Sequence, residues 1–308
     1  MTQTILLAGA TGMFGSQIAR HLLDRPDARV RLLLPPSKNA DKTDALNPLL
    51  DRGAEVIEGD LADRASLDRA TQGVDVIVSA VQGGPDVIID GQVALAEAGK
   101  RNGVRRILPS DFALDVFKAT PGEHMMFDLR RDADAAISAL GIEHVHVLQG
   151  AFMEMFKPGA GVIGDGRSAA DGIVRFWGDG TQAIEVTSVE DTARMVARVA
   201  LDRSVASGKF AFAGDKVSIL DATKVIEART GRRFERRSNG SEADLRAAMA
   251  EAAKDTSDPF KAAMLAYQLY MLTGQTALSG LQNDRYPDLK LESFAQFAAR
   301  ALSDGTTA

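Results

Sequence analysis

The chain has 308 residues, no cysteine and a formal net charge of −6, with 45% hydrophobic and 25% charged residues. That length suits one large domain or two closely joined ones, and the lack of cysteine excludes a disulfide framework, a thiolate metal site and a thiol nucleophile. The acidic balance argues against a nucleic-acid surface, and neither a bilayer-length apolar run nor a basic leader is visible, so a cytoplasmic protein without membrane or nucleic-acid partners is expected.

The pattern opens with "TILLAGA" (4–10), a continuous apolar strand, followed by the amphipathic "SQIARHLLDR" (16–25). Further short β-rich runs follow at "VRLLL" (30–34), "AEVIEGD" (54–60), "VDVIVSA" (74–80), "RRILPS" (105–110) and "EHVHVLQ" (143–149). Helical patterns over 64–73, 88–103 and 127–141 separate the later runs, and the last two close on glycine. Apolar strands alternating with helices predict an α/β fold, a doubly wound parallel sheet covered on both faces. Residues 1–150 are expected to form a dinucleotide-binding domain, with 180–203 packing back on it. Residues 151–308 are expected to form a smaller mixed region that binds substrate.

In that second region "KPGAGVIGDGRSAADG" (157–172) reads as a loop and "RFWGDGTQAIEVTS" (175–188) as strands joined by a turn. Helices are expected at 189–202, 219–231, 242–254 and 292–302. The Met- and Tyr-rich "AAMLAYQLYMLTG" (262–274) suits a plain core helix or the lining of an apolar site. The basic "RTGRRFERR" (229–237) reads as a solvated face.

Gly9, Gly12 and Gly15 fall between the first strand and the first helix. At such a junction one glycine permits a tight turn, one admits a pyrophosphate, and one lets helix and strand pack closely. The helix N-terminus then faces the phosphates with its orphan N–H groups. Thr11, Met13 and Phe14 complete the expected cofactor loop. Past the second strand there is no early carboxylate for a ribose hydroxyl, while Ser37 and Lys38 suit a 2′-phosphate; NADPH is therefore expected over NADH, with Asp41 the counter-argument. Asp60 and Leu61 after the third strand, and Ala80 and Gln82 after the fourth, are further expected cofactor contacts.

Tyr267 and Tyr270 have no lysine four residues on, and the one Tyr-x-x-x-Lys spacing, Tyr286 with Lys290 in "RYPDLK", lies outside the predicted helices, so the catalytic pair of short-chain dehydrogenases is not expected here. Of the four histidines, His144 and His146 sit two apart on a predicted strand, which suggests packing rather than metal ligation. No metal site is expected.

"GATGMFG", "GQVALAEAGKRNGVRRILPSDFALD", "VTSVEDTARMVA" and "RYPDLKLESFAQF" together resemble the isoflavone-reductase-like branch of the NmrA-like, atypical short-chain dehydrogenase family. The resemblance extends over essentially the whole chain, and Pro109-Ser110-Asp111-Phe112 is its most specific element. It implies a Rossmann domain, NADPH, and reduction of an aromatic or phenylpropanoid-like ketone, enone or benzylic ether. It also implies site roles for Ser110 and Asp111. Two positions depart from the family pattern. Pro35 stands where an arginine is usual after the second strand. After Phe127-Asp128-Leu129, where the family has its catalytic lysine, stands Arg130.

Arginine cannot act as a base, but it can stabilise a developing oxyanion. Helical phase places Arg130 on the side of Ala133 and Ile137, the apolar face, which suits a site residue as well as it suits a snorkelling arginine or an internal salt bridge. The proton is then expected from water, His124 or a substrate hydroxyl. Two other readings stand beside the reductase: a non-catalytic NAD(P)-sensing regulator, and an isomerase or epimerase using the dinucleotide transiently. A monomer or a homodimer fits the sequence equally.

Overall fold

A computed structural model describes residues 2–35, 43–157, 172–255 and 259–302. The first half runs β1 (Gln3–Ala8), α1 (Met13–Leu23), β2 (Ala28–Leu34), α2 (Thr43–Leu50), β3 (Glu55–Glu58), α3 (Arg64–Ala70), β4 (Val76–Ser79), α4 (Gln92–Arg101), β5 (Arg106–Leu108), α5 (Met125–Ala139) and β6 (Glu143–Leu148). There follow β7 (Ala151–Phe152), β8 (Ile173–Phe176), β9 (Ile184–Thr187), α6 (Val189–Leu201), β10 (Gly208–Ala211), β11 (Asp215–Val217), α7 (Ile219–Thr230), β12 (Glu235–Ser238), α8 (Glu242–Ala252), α9 (Pro259–Thr273) and α10 (Phe294–Ala301). Among the described residues no helix is long and apolar enough to cross a membrane.

The chain divides into two interleaved units rather than at a single point. The first comprises Met1–Phe112, Leu129–Val147 and Thr192–Phe210; the second comprises Ala113–Asp128, Leu148–Asp191 and Ala211–Ala308.

The first unit is built on a sheet of order β10-β6-β5-β4-β1-β2-β3. β1 pairs in parallel with both β2 and β4, and the β2–β3, β4–β5 and β5–β6 pairs are also parallel. Strands this apolar need cover on both faces: Ile5, Leu6, Leu7, Val76, Ile77 and Val78 are all fully buried. Leu6, Ile77, Leu95, Ile107 and Ile137 share one core with the helices. The order reverses at the β1–β4 pair, and the crevice beyond the C-terminal ends of such strands is where doubly wound sheets take their ligands. The predicted helix over 88–103 begins as a single π-helical turn at Asp86–Gly91 before α4.

The second unit holds a three-stranded sheet, β11-β9-β7, and a two-stranded one, β12-β8. β8 and β9 are the two strands expected over 175–188, but they enter different sheets. Gly178 and Gly180 between them both take positive φ, which turns the chain away from a hairpin. Phe156, Phe176, Tyr270, Phe294 and Phe297 fill the core of this unit. α9 enters the core toward its C-terminal end, where Ala266, Leu269, Tyr270 and Met271 are buried, while Phe260 and Met264 nearer its start are exposed. The basic stretch 229–237 is not one solvated face: Arg229 and Thr230 end α7, Phe234 is buried in this unit's core, and only Glu235–Ser238 form the exposed β12, where Arg236 pairs with the buried Glu227 at 2.7 Å.

α10 starts in a capping box, with the Ser293 hydroxyl accepting from the Gln296 N–H and the Gln296 side chain returning to the Ser293 N–H. Ser293→Ala should therefore cost about 1 kcal/mol in urea unfolding. No loss of stability would show that the box is not formed.

Candidate active site

The loop after β1 carries the three glycines, and each has a different reason. Gly9 takes φ +86°, and a Cβ there would stand 2.3 Å from the Ala80 carbonyl oxygen, so β1 and β4 can approach only over a glycine. A Cβ on Gly15 would stand 2.2 Å from the Gly9 oxygen; this is the close packing of helix on strand. Gly12 is different. It is exposed, has ordinary extended dihedrals (φ −77°, ψ 159°), and a Cβ on it would meet only the Gly9 oxygen at 3.3 Å.

Packing within the protein therefore constrains position 12 less than positions 9 and 15, since a Cβ there needs the loop to give by only a few tenths of an ångström, and a backbone this open suits an approaching ligand. Gly12 is also the N-cap of α1, where no side-chain hydrogen bond closes the helix end and no acidic residue occupies the first turn. A helix end of this kind is suited to a pyrophosphate. Met13 beside it is 70% exposed. The cradle fits a dinucleotide on these grounds.

Neighbouring strand ends close around the same edge. The Ala80 N–H donates to the Ala8 oxygen at 2.9 Å, and the Ser110 hydroxyl donates to the Val81 oxygen at 2.8 Å. Phe14 of α1 meets Phe112 edge-on, with ring centroids 4.7 Å apart. The Ser110 N–H donates to Gln92 Oε1 at 2.9 Å, and Arg130 Nε donates to the Ser110 carbonyl at 2.9 Å. Ser110 thus uses hydroxyl, amide and carbonyl to pin the loop after β5, which is a holding role. Gln92, fully buried in the first turn of α4, was not visible as a site residue.

Asp60 takes a local part, its Oδ1 accepting from the Ala62 N–H at 2.9 Å. Leu61 lies against Gly91 and the first unit's core. Gln82 is exposed. Ser37 and Lys38, the expected phosphate contacts, and Asp41 lie outside the described residues, as does most of the 157–172 stretch.

His124 falls in the second unit. Its ring stacks on Phe127 with centroids 4.0 Å apart, 6.3 Å from Tyr267 and from Tyr270. Its Nδ1 accepts from the Phe127 N–H at 3.3 Å, so that nitrogen is engaged in starting α5.

Beside Arg130 lies a group the sequence did not bring together. Asp111, Asp134 and His146 are 1%, 4% and 6% exposed. His146 Nδ1 stands 2.8 Å from Asp111 Oδ2 and 3.6 Å from Asp134 Oδ1. Burial, and next the Asp111 charge, push the Asp134 carboxyl up to about 10, so it is protonated at neutral pH. Burial also draws the Arg130 guanidinium down from its ordinary value, with Asp111 and then Asp134 opposing the shift, and it remains a cation.

The raised Asp134 pKa has a consequence for stability. Between the unfolded carboxyl's ordinary value near 4 and the folded value of about 10, the native protein holds a proton that the unfolded chain releases. Stability from this group is complete below the unfolded value and falls as pH rises, by at most about 1.4 kcal/mol per pH unit. Asp134→Asn, neutral in both states, should lack that slope when urea unfolding is followed from pH 6 to 8. Parallel slopes for parent and variant would show Asp134 ionised.

The NmrA-like family model matches residues 1–279. The phenylcoumaran benzylic ether reductase PT1 of Pinus taeda is 31% identical over 192 residues, a match spanning 61% of this chain and 61% of the pine protein. The isoflavone reductase homolog IRL of Zea mays is 31% identical over 255 residues, 79% of each chain. Among solved structures, AtPrR2 with NADP+ and (+)pinoresinol superposes with a TM-score of 0.83 at 23% identity, covering 97% of this chain and 99% of that one. An isoflavone reductase crystal structure gives 0.84 at 20% identity, with the same coverage.

Proposed function

Because the chain belongs to the NmrA-like family, we propose that it is an NADPH-dependent oxidoreductase that reduces a small aromatic, phenylpropanoid-like ketone, enone or benzylic ether. The observation that carries this reading is the cradle at Gly12, open to a ligand on an uncapped helix end at the sheet's reversal point. The relatives' names supply the substrate class, and the NADP+ named with AtPrR2 supports the phosphorylated cofactor.

NADPH, when bound, supplies a hydride to an electrophilic carbon of the substrate. The protein's own part is to hold and to polarise. Gly9 and Gly15 fix the loop, Gly12 leaves room for the pyrophosphate, and the first turn of α1 donates its N–H groups. Arg130, whose Nε donates to the Ser110 carbonyl, would offer its guanidinium charge to a substrate oxygen that gains negative charge in the reduction. As a permanent cation it stabilises that oxygen without removing a proton from it.

One observation favours a second reading. Arginine stands where the resembling family has a lysine able to exchange protons, which suits a dinucleotide sensor that does not turn over. NADPH oxidation measured against aromatic ketones, enones and benzylic ethers decides between them. Consumption dependent on one substrate class supports the reductase; tight NADPH binding without consumption by any class supports the sensor. NADPH should bind at least about tenfold more tightly than NADH if a charge-assisted contact reads the 2′-phosphate. Equal affinities in a fluorescence titration would remove the cofactor assignment.

A further inference from the structure

We propose that Asp134 and His146 are positioning residues which, through Asp111, hold the Arg130 guanidinium in its working orientation. Three elements of the first unit meet here: the loop after β5 brings Asp111, α5 brings Arg130 and Asp134, and β6 brings His146. Arg130 and Asp134 are four apart on α5 and share one helix face. The ring closes through the backbone, since Arg130 Nε donates to the carbonyl of Ser110, the residue joined to Asp111.

The hydrogen bonding of this group is unusual. Among the described residues, Asp111 Oδ1 and both carboxyl oxygens of Asp134 are buried without a hydrogen-bond partner. Two adjacent buried carboxylates cannot remain so, because each would carry an uncompensated charge. A single proton on Asp134 resolves this. Its O–H then has Asp111 as acceptor, and His146 Nδ1–H donates to Asp111 Oδ2 at 2.8 Å.

With that proton in place Asp111 is the one carboxylate of the cluster, and Arg130 is the cation that balances it. His144, its ring 5.1 Å from that of His146, is a further titratable group beside the cluster among the described residues. A divalent cation is the competing occupant, since the three donor atoms lie within 4.8 Å of one another. Two carboxylates, a dication and Arg130 would leave a buried net charge of about +1, whereas the protonated arrangement is neutral. Charge balance selects the proton.

Asp111 therefore has two donors fixing its orientation, and a fixed Asp111 fixes its loop and the Arg130 charge beside it. The meaning of this for turnover rests on the reading of Arg130 given above; the geometry of the clamp does not. Its test accordingly needs no substrate. In 15N spectra of the whole protein at pH 7, the Arg130 Nε–H resonance is identified by its absence from Arg130→Lys. It should exchange slowly in the parent and in Asp134→Asn, whose amide still offers a donor to Asp111. In Asp134→Leu and His146→Phe exchange should be at least about tenfold faster, the effect of losing a hydrogen bond worth some 1.4 kcal/mol.

Where those two variants fail to fold, the His146 ring decides in folded protein. Its Cε1–H shift, identified by loss in His146→Gln, should step as Asp134 ionises in alkaline solution, and the step should be absent from Asp134→Asn. Unchanged Arg130 exchange in the folded apolar variants overturns the proposal, as does an alkaline step that persists in Asp134→Asn. A manganese or zinc ion retained by the purified parent and lost from Asp134→Asn also overturns it. A protein inactive on every substrate that still shows the clamp refutes the reductase reading alone.

Discussion

Gly12→Val should weaken NADPH binding by at least about a hundredfold while the protein stays folded. The valine side chain would occupy the space left for the pyrophosphate. Breaking two charge-assisted N–H hydrogen bonds, each worth about 1.5 kcal/mol or more, gives that factor. The fold should survive because the position is exposed, its dihedrals suit any residue, and the one close contact of a new Cβ, the Gly9 oxygen at 3.3 Å, is relieved if the loop gives by a few tenths of an ångström. The midpoint of thermal unfolding should move by only a few degrees, about 1 kcal/mol. Gly15→Ala supplies the contrast, since its Cβ would lie 2.2 Å from a backbone oxygen and the loop must distort. That variant should lose stability first. Unchanged NADPH affinity in folded Gly12→Val would show that the cradle holds something else.

Arg130→Ala should lower kcat by about 10² to 10³, the scale of removing one preorganised oxyanion donor. NADPH affinity should change much less, because the cofactor is held by the α1 cradle. Arg130→Lys should keep a cation at the site and retain part of the activity. Burial moves the guanidinium down from its ordinary value, yet arginine stays protonated across the accessible range. No limb of the parent's pH–rate profile should therefore vanish in Arg130→Lys. Full turnover by Arg130→Ala would leave the residue a structural part only, through its hydrogen bond to the Ser110 carbonyl and its electrostatic interaction with Asp111.

Much of the first unit was legible because its signals are local. The strand, the glycines and the amphipathic helix that follow one another over 4–25 each state their structure within a few residues. Helical phase put Arg130 on the side of Ala133 and Ile137, both of which are buried. The same rule places Asp134 beside Arg130, although an aspartate on a helix is ordinarily a solvated residue and nothing local marks this one as buried. His146 was read as packing because its partner Asp111 lies 35 positions upstream, and no sequence spacing shows that the ends of β5 and β6 adjoin.

The second unit was less readable. β7, β11 and β12 are two to four residues long, too short for a two-residue alternation to register. β12 reads "ERRS", a charged run that becomes a strand only by pairing with β8 some sixty positions earlier. His124 illustrates the same limit. Its residue type suggested a proton donor, and the sequence did not show that its ring stacks on Phe127 and accepts the hydrogen bond that starts α5.

The reductase assignment is tested most directly by following deuterium from the nicotinamide C4 of labelled NADPH into product. Parent protein, incubated with the panel of aromatic ketones, enones and benzylic ethers, should yield one class of product a single mass unit heavier, with the label on one face only. Gly12→Val should yield none. Saturating NADPH binding by the parent with no labelled product from any class would contradict the account and leave a dinucleotide sensor in its place.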